Sequence, residues 1–198
     1  MIKLIAIITM AIDHVAVFLL PQYTALFRAI GSVSFPLFAW MVVEGRFNTS
    51  NLKRYLQNLL FFAVISEPVY MLMYPDHNQY NAIFTLFCGL FLICAYERYG
   101  LLVFSGLLPL LHFDVISFYV VLIFLFYFAR GNHFIITIGS VSFFLFVSTF
   151  APDYVLYGLL FLPLIFTDKL NYRLPVNKYV FYSFYPVHFL MIYGISLL

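Results

Sequence analysis

The sequence predicts an all-α protein that crosses a membrane several times, and three observations lead to that prediction. Of the 198 residues, 65% are hydrophobic and only 9% are charged, whereas a soluble domain has about 25% charged residues. The mean hydropathy is +1.01. The long apolar runs lack the alternation of barrel strands, and in lipid only helices or closed barrels satisfy every backbone group. We therefore expect a single integral-membrane domain over residues 1–198.

Charged residues, Pro, Gly and Asn divide the chain into about nine predicted transmembrane helices. The first follows Lys3 and lacks a small-residue cleavage site, which favours a retained helix over a signal peptide. Several later helices have about 13–15 residues, fewer than the roughly 20 that a bilayer requires, so they need a thinned membrane, extension into the links, or a re-entrant path. In chain order, the predicted helices are 4–20, 24–43, 55–74, 82–96, 100–112, 115–129, 133–150, 154–167 and 180–197.

The basic residues predict the orientation of these helices. With a cytoplasmic N-terminus and an extracytoplasmic C-terminus, nine of the ten Lys and Arg residues lie on the cytoplasmic side, as the positive-inside rule requires. The exception is Arg28, which falls near the outer end of the second helix and therefore needs a partner or a function. The nine are Lys3, Arg46, Lys53, Arg54, Arg98, Arg130, Lys169, Arg173 and Lys178.

Five ionisable residues fall inside predicted helices, where such groups are costly and each is a functional hypothesis. Their depths allow them to meet at one site at or outside the midplane of the membrane. Two alternatives stay open: the acids and the arginine could only neutralise one another, and each histidine could be a packing element. The five are Asp13, His14, Arg28, Glu67 and His188.

Other classes of function find little support in the composition. A net charge of +2 without a basic patch argues against nucleic acid as a partner. Cys88 and Cys94 share one apolar run, which is typical of buried hydrophobic residues, and no His/Cys/Asp spacing resembles a zinc site, so we predict no metal.

Several motifs together resemble those of the TraX family of conjugal-transfer membrane proteins, over about residues 3–86 and 178–190. They are IDH at 12–14, RAIG at 28–31, FPLFAWMVVEG at 35–45, KRY at 53–55, ISEP at 65–68, NAIFTL at 81–86 and FYPVH at 184–188. The resemblance implies an acetyl-CoA-dependent acyltransferase of the bacterial cytoplasmic membrane, acting on the N-terminal amine of a pilin-like or other membrane-inserted or secreted protein. One departure is Ser32, where family members commonly carry an arginine, so acceptor preference can differ.

The matching motifs contain all five flagged residues, together with Asn81 and Tyr185. An α-amino group has a pKa near 8, so its attack on a thioester calls for a base, and a neutral buried imidazole suits that task. We predict His14 as the general base, with His188 as an alternative or a relay. Asp13 or Glu67 would fix the tautomer of the catalytic histidine. The predicted contacts to the thioester carbonyl or to the acceptor are Arg28, Asn81 and Tyr185.

The acyl donor, acetyl-CoA, is expected to meet the basic cytoplasmic face through its phosphates. The candidates are Arg46, Lys53, Arg54 and Lys178, although the positive-inside rule alone also explains these residues. Three other functions stay open: an O-acyltransferase for a glycan or lipid hydroxyl, a small transporter or proton-coupled channel, and a non-enzymatic pilus-assembly protein.

Overall fold

A computed structural model describes residues 1–75, 80–103, 115–167 and 178–197, and within these ranges the chain forms helices and turns but no β-strand. The predicted all-α class is therefore confirmed. Two 3₁₀ helices, Pro21–Tyr23 and Asp153–Leu160, accompany the α-helices. The α-helices are α1 Ile2–Leu19, α2 Thr24–Gly31, α3 Ser34–Asn48, α4 Leu52–Met73, α5 Ala82–Tyr99, α6 Val115–Phe128, α7 His133–Ser148, α8 Phe161–Ile165 and α9 Lys178–Ser196.

Four segments of the described chain are long and apolar enough to cross a membrane: Ile2–Leu19, Pro21–Asn48, Leu52–Met73 and Ala82–Tyr99. The helices that follow α5 include shorter apolar ones, such as the 16 residues of α7. Most of the predicted helix 100–112 lies outside the described residues. The total of nine spans and the cytoplasmic N-terminus stay predictions.

Two predicted helices have a different form in the structure. The predicted helix 24–43 is divided at Ser32 and Val33 into α2 and α3. Val33 donates its N–H to the carbonyl of Ile30, three residues back, so the chain turns more tightly here than in an α-helix. The predicted helix 154–167 is mainly the 3₁₀ helix Asp153–Leu160, which packs between α2 and α7 and is followed by the five residues of α8.

The first and last described helices of the chain, α1 and α9, lie side by side. Helix α9 packs against both α1 and α4, while α1 also packs against α2 and α3. Helices α1, α4 and α9 begin at one end of the bundle, and α3 and α5 end there. We call this end the basic end. Two ion pairs join its elements, Arg46 with Glu97 at 2.6 Å and Arg130 with Glu44 at 2.8 Å.

Helix α2 approaches α1 closely at Gly31, where an added Cβ would collide with the Cβ of Asp13. We expect Gly31→Ala to lower stability by about 1–3 kcal/mol, because neither helix can move without losing its packing. Gly194→Ala is the matched control, since Gly194 lies in α9 and a Cβ added there would have no neighbour within 4 Å. Melting temperatures in detergent should fall for the first variant only, and equal values for the two variants would contradict the prediction.

Candidate functional site

A cavity of about 1290 Å³ runs through the bundle from the basic end towards the middle of the fold. Lys3, Arg54 and Arg130 line it at the basic end. Ala82 and Tyr185, where α5 begins and α9 passes, line its deep end. The cavity is therefore entered beside cations and leads to a polar side chain within the bundle.

Two helices place histidines just beyond the wall of this cavity. Lys3, Ile7 and Met10 of α1 line it, and their spacing of four and three residues continues on the same helix face to His14. On α9, Tyr185 lines the cavity and His188 follows three residues later. The two histidines thus lie one helical turn past the last lining residue of each helix.

These two histidines, predicted to converge, are in direct contact. Nδ1 of His14 and Nε2 of His188 are 2.8 Å apart, and the two rings stack with their centroids 5.0 Å apart. Phe189 packs against the His14 ring at 4.4 Å between centroids. His188 is only 3% exposed. The contact joins the first helix of the chain to the last.

The hydrogen bonds determine which ring nitrogens carry protons when the pair is neutral. Nδ1 of His188 lies 2.9 Å from the carbonyl oxygen of Phe184, which can only accept, so this Nδ1 carries hydrogen and donates. Nε2 of His188 is then an acceptor, and Nδ1 of His14 donates to it. The lone pair that remains lies on Nε2 of His14, which accepts no hydrogen bond from the described residues.

Asp13 does not contact either histidine but pairs with Arg28. Nε of Arg28 donates to Oδ1 of Asp13 at 3.4 Å, and Nη1 donates to the hydroxyl of Tyr154 at 3.0 Å. The side chains are partly accessible, 33% for Arg28 and 20% for Asp13. The expectation that Asp13 orients the catalytic histidine is therefore wrong. Adjacent helical residues point about 100° apart, which directs Asp13 to α2 while His14 faces α9.

Glu67 likewise contacts no histidine and instead holds Asn81. Its Oε2 accepts hydrogen bonds from the backbone N–H of Asn81 at 3.1 Å and from Nδ2 at 2.6 Å. Nδ2 of Asn81 also donates to the carbonyl of Ala63, while Oδ1 accepts from the backbone N–H groups of Ile83 and Phe84. A tautomer-fixing role for Glu67 is therefore wrong. Four of the flagged residues thus form two separate pairs, and Glu67 pairs with Asn81 instead, because each acid lies on a helix face that meets a different neighbour.

The Glu67 contact fixes the depth at which α5 begins. Asn81 is 0% exposed and caps α5 beside Ala63 and Glu67, in the interior of α4. Met73, the last residue of α4, lies six positions after Glu67, which is about 9 Å along the helix axis. Helix α5 therefore starts about 9 Å short of that end of α4. It begins inside the bundle, at a buried N-cap residue.

Of the four basic residues predicted to bind the donor, Arg54 alone lines the cavity with a described side chain. Arg46 donates to Glu97 away from the cavity wall, and Lys53 is exposed beside it. These two residues therefore do not line the cavity, and their contact with the phosphates of the donor stays a prediction. The side chain of Lys178 lies outside the described residues.

Two cations in the cavity wall, Lys3 and Arg130, were interpreted from the sequence only as indicators of membrane topology. Lys3 lies over the ring of Phe181 at 5.6 Å, and its stripe with Met10 and His14 was a signal available in the sequence. Arg130 lies in the turn between α6 and α7, where its hydrogen bond to Glu44 raises the pKa of its guanidinium and keeps it charged. Tyr154, the partner of Arg28, had no recognisable signal in the sequence.

The fold and the site define the class of the protein: an all-helical chain, able to cross a membrane with at least four segments, that encloses a cavity leading to a histidine pair. Residues 1–196 match the model of the TraX protein family, and the chain belongs to that family. This confirms the resemblance on which the predicted activity depends.

A curated relative is similar to part of the chain. It is named "Probable fimbrial assembly protein FimC, serogroup H1", from Dichelobacter nodosus, and is 43% identical over 75 residues. The match covers 36% of this chain and 30% of that protein. The chain thus matches less than a third of the relative's length, and no solved structure matches the chain.

Proposed function

We propose that the protein transfers the acetyl group of acetyl-CoA to the N-terminal amine of a pilin-like or other membrane-inserted or secreted protein. The observation that carries this proposal is the histidine pair, which lies one turn beyond the wall of a cavity with a basic entrance. Membership of the TraX family supports the acyltransferase class. The name of the fimbrial relative supports a pilin-like acceptor.

In the proposed reaction His14 is the general base. Its Nε2, unprotonated in the neutral pair, takes the proton that the acceptor nitrogen loses as it bonds to the acyl carbon. The bond between that carbon and sulfur breaks, and the thiolate of CoA leaves and takes the proton from Nε2 of His14, which restores the neutral base. His188 stabilises the charged His14 because its Nε2 accepts from Nδ1 of His14, while the Phe184 carbonyl holds the other side of the ring.

The basic entrance is suited to the phosphates of the donor. Lys3 and Arg54 supply cations there, and Arg130 adds a third that is partly neutralised by Glu44. From Lys3 to His14 is eleven residues of α1, or about 16 Å along the helix axis. A long flexible acyl carrier, rather than a compact acyl donor, spans such a distance between its anionic end and its reactive end.

Arg28 is the proposed contact to the acceptor. Two of its five N–H groups have described partners, Asp13 and Tyr154, and its side chain is partly accessible. It therefore keeps donors for a carbonyl oxygen of the acceptor. The second candidate function is O-acylation of a glycan or lipid hydroxyl, which needs the same base at His14.

The activity test is incubation of the purified protein in lipid nanodiscs with isotope-labelled acetyl-CoA. Acceptors are a membrane-inserting peptide with a free N-terminus, the same peptide with a blocked N-terminus, and a glycolipid with free hydroxyls. Label on the free-amine peptide alone is expected. Label on the glycolipid alone would favour O-acylation, while absence of both acetyl-CoA binding and transfer would overturn the enzyme proposal.

Arg54→Gln is expected to weaken acetyl-CoA binding about tenfold, because one charge-assisted contact to a phosphate is lost. Lys53→Gln removes a cation from the adjacent position, which is exposed and outside the cavity wall. It should leave the affinity unchanged. Isothermal titration of both variants measures the difference, and equal losses would mean that the phosphates do not reach this entrance.

A further inference from the structure

The hydroxyl of Tyr185 occupies the deep end of the cavity. Tyr185 is 6% exposed and lines the cavity together with Ala82, the first residue of α5. The backbone N–H of Ala82 donates a hydrogen bond to the Tyr185 oxygen at 3.3 Å. The phenol oxygen is thus held by the backbone at the point where the cavity ends.

The other donors at the start of α5 are already paired. The N–H of Asn81 donates to Glu67, and the N–H groups of Ile83 and Phe84 donate to Oδ1 of Asn81. The hydrogen of the Tyr185 hydroxyl is different, because it has no acceptor among the described residues. A buried donor without an acceptor is costly, unless a ligand supplies the acceptor.

Tyr185 is also next to the proposed base. Its ring centroid is 5.6 Å from that of His188, which is hydrogen-bonded to His14. A carbonyl group at the deep end of the cavity would therefore meet a proton donor whose ring packs directly against the histidine pair. This is the arrangement that acyl transfer requires, since negative charge develops on that oxygen as the nucleophile attacks.

We propose that the Tyr185 hydroxyl donates a hydrogen bond to the carbonyl oxygen of the bound thioester and stabilises the oxyanion. The proposal rests on the acyltransferase function proposed above. The N–H of Ala82 strengthens this donor, because a hydroxyl that accepts one hydrogen bond donates another more strongly. Glu67 and Asn81 are positioning residues in this arrangement, since they hold the start of α5 against Tyr185.

The kinetic test compares Tyr185→Phe with Tyr193→Phe, which removes a hydroxyl from the same helix away from the cavity wall. Tyr185→Phe should lower kcat about 10²–10³-fold with little change in the KM for acetyl-CoA. Tyr193→Phe should match the unmodified protein. A rise in KM at constant kcat, or no change, would overturn the oxyanion role.

The spectroscopic test needs no turnover. Acetyl-CoA labelled with ¹³C at the carbonyl is bound to His14→Asn and to His14→Asn combined with Tyr185→Phe. The carbonyl stretch should lie at lower frequency when the hydroxyl is present, because a hydrogen bond weakens the C=O bond. Equal frequencies would overturn this inference alone, whereas failure of His14→Asn and of the unmodified protein to bind acetyl-CoA would overturn it together with the proposed function.

A second variant serves if Tyr185→Phe does not fold. Glu67→Gln keeps the length of the side chain but weakens its two contacts with Asn81, so the start of α5 is held less firmly. We expect a smaller fall in kcat with an unchanged KM for acetyl-CoA. A kcat equal to that of the unmodified protein would contradict the positioning role of Glu67.

Discussion

His14→Ala is expected to lower the rate of acetyl transfer by about 10²–10⁴-fold, the usual contribution of a general base. The variant loses Nε2, the ring nitrogen of the histidine pair that is free to take a proton. The measurement is transfer from labelled acetyl-CoA under single-turnover conditions. Acetyl-CoA binding should persist, because His14 does not line the described cavity wall.

His14→Asn separates the base from the structural role of this side chain. The asparagine amide can still donate to Nε2 of His188, as Nδ1 of His14 does, but it cannot accept the proton. We expect it to fold like the unmodified protein and to be as inactive as His14→Ala. Substantial activity in His14→Asn would mean that another group is the base or that the reaction needs no base.

Asn81→Ala is expected to have the largest effect on stability, a loss of about 3–5 kcal/mol. The substitution leaves the N–H of Ile83 without its acceptor and removes the amide that donates to Glu67 Oε2 and to the Ala63 carbonyl inside the bundle, while the N–H of Phe84 keeps only the backbone carbonyl of residue 81. Water does not reach an asparagine that is 0% exposed, so it cannot replace these bonds. In a chain of this size, the melting temperature should fall by about 10 °C.

Asn132 provides the matched control, because it also caps a helix. It lies exposed before α7 and accepts a single hydrogen bond, from the N–H of Ile135. Asn132→Ala should cost about 1 kcal/mol, since water can solvate the released N–H. Circular dichroism melts in one detergent compare the two variants. Similar shifts would mean that the cap of α5 is hydrated, contrary to its burial.

The helices that hydropathy predicts well are those bounded by charge. The predicted helices 4–20 and 55–74 correspond closely to Ile2–Leu19 and Leu52–Met73. Hydropathy could not predict the division at Ser32 and Val33, because the polar residues of this turn are few and small and apolar segments flank them on both sides. The 3₁₀ helix Asp153–Leu160 was missed for a similar reason, since an apolar run does not distinguish a 3₁₀ helix from an α-helix.

The sequence predicted which residues belong to the candidate site, but not which residue each of them contacts. The position of each residue along its predicted helix gives its depth in the membrane, and these positions placed His14 and His188 at a similar depth. Partner choice depends on how each helix is rotated about its axis, and that rotation follows from packing. Gly31, for example, lets α2 approach Asp13 closely enough for Arg28 to reach it. Similarly, the early start of α5 brings Asn81 to Glu67, away from both histidines.

The contact between His14 and His188 also joins two segments that the ribosome makes at different times. The two residues are 174 positions apart, so the ribosome makes α1 well before α9 exists. Helix α1 is therefore in place before α9, and until α9 is made the imidazole of His14 lacks its contact with His188. We therefore expect a chain that stops before α9 to lack the histidine pair and, with it, the arrangement on which the proposed activity depends.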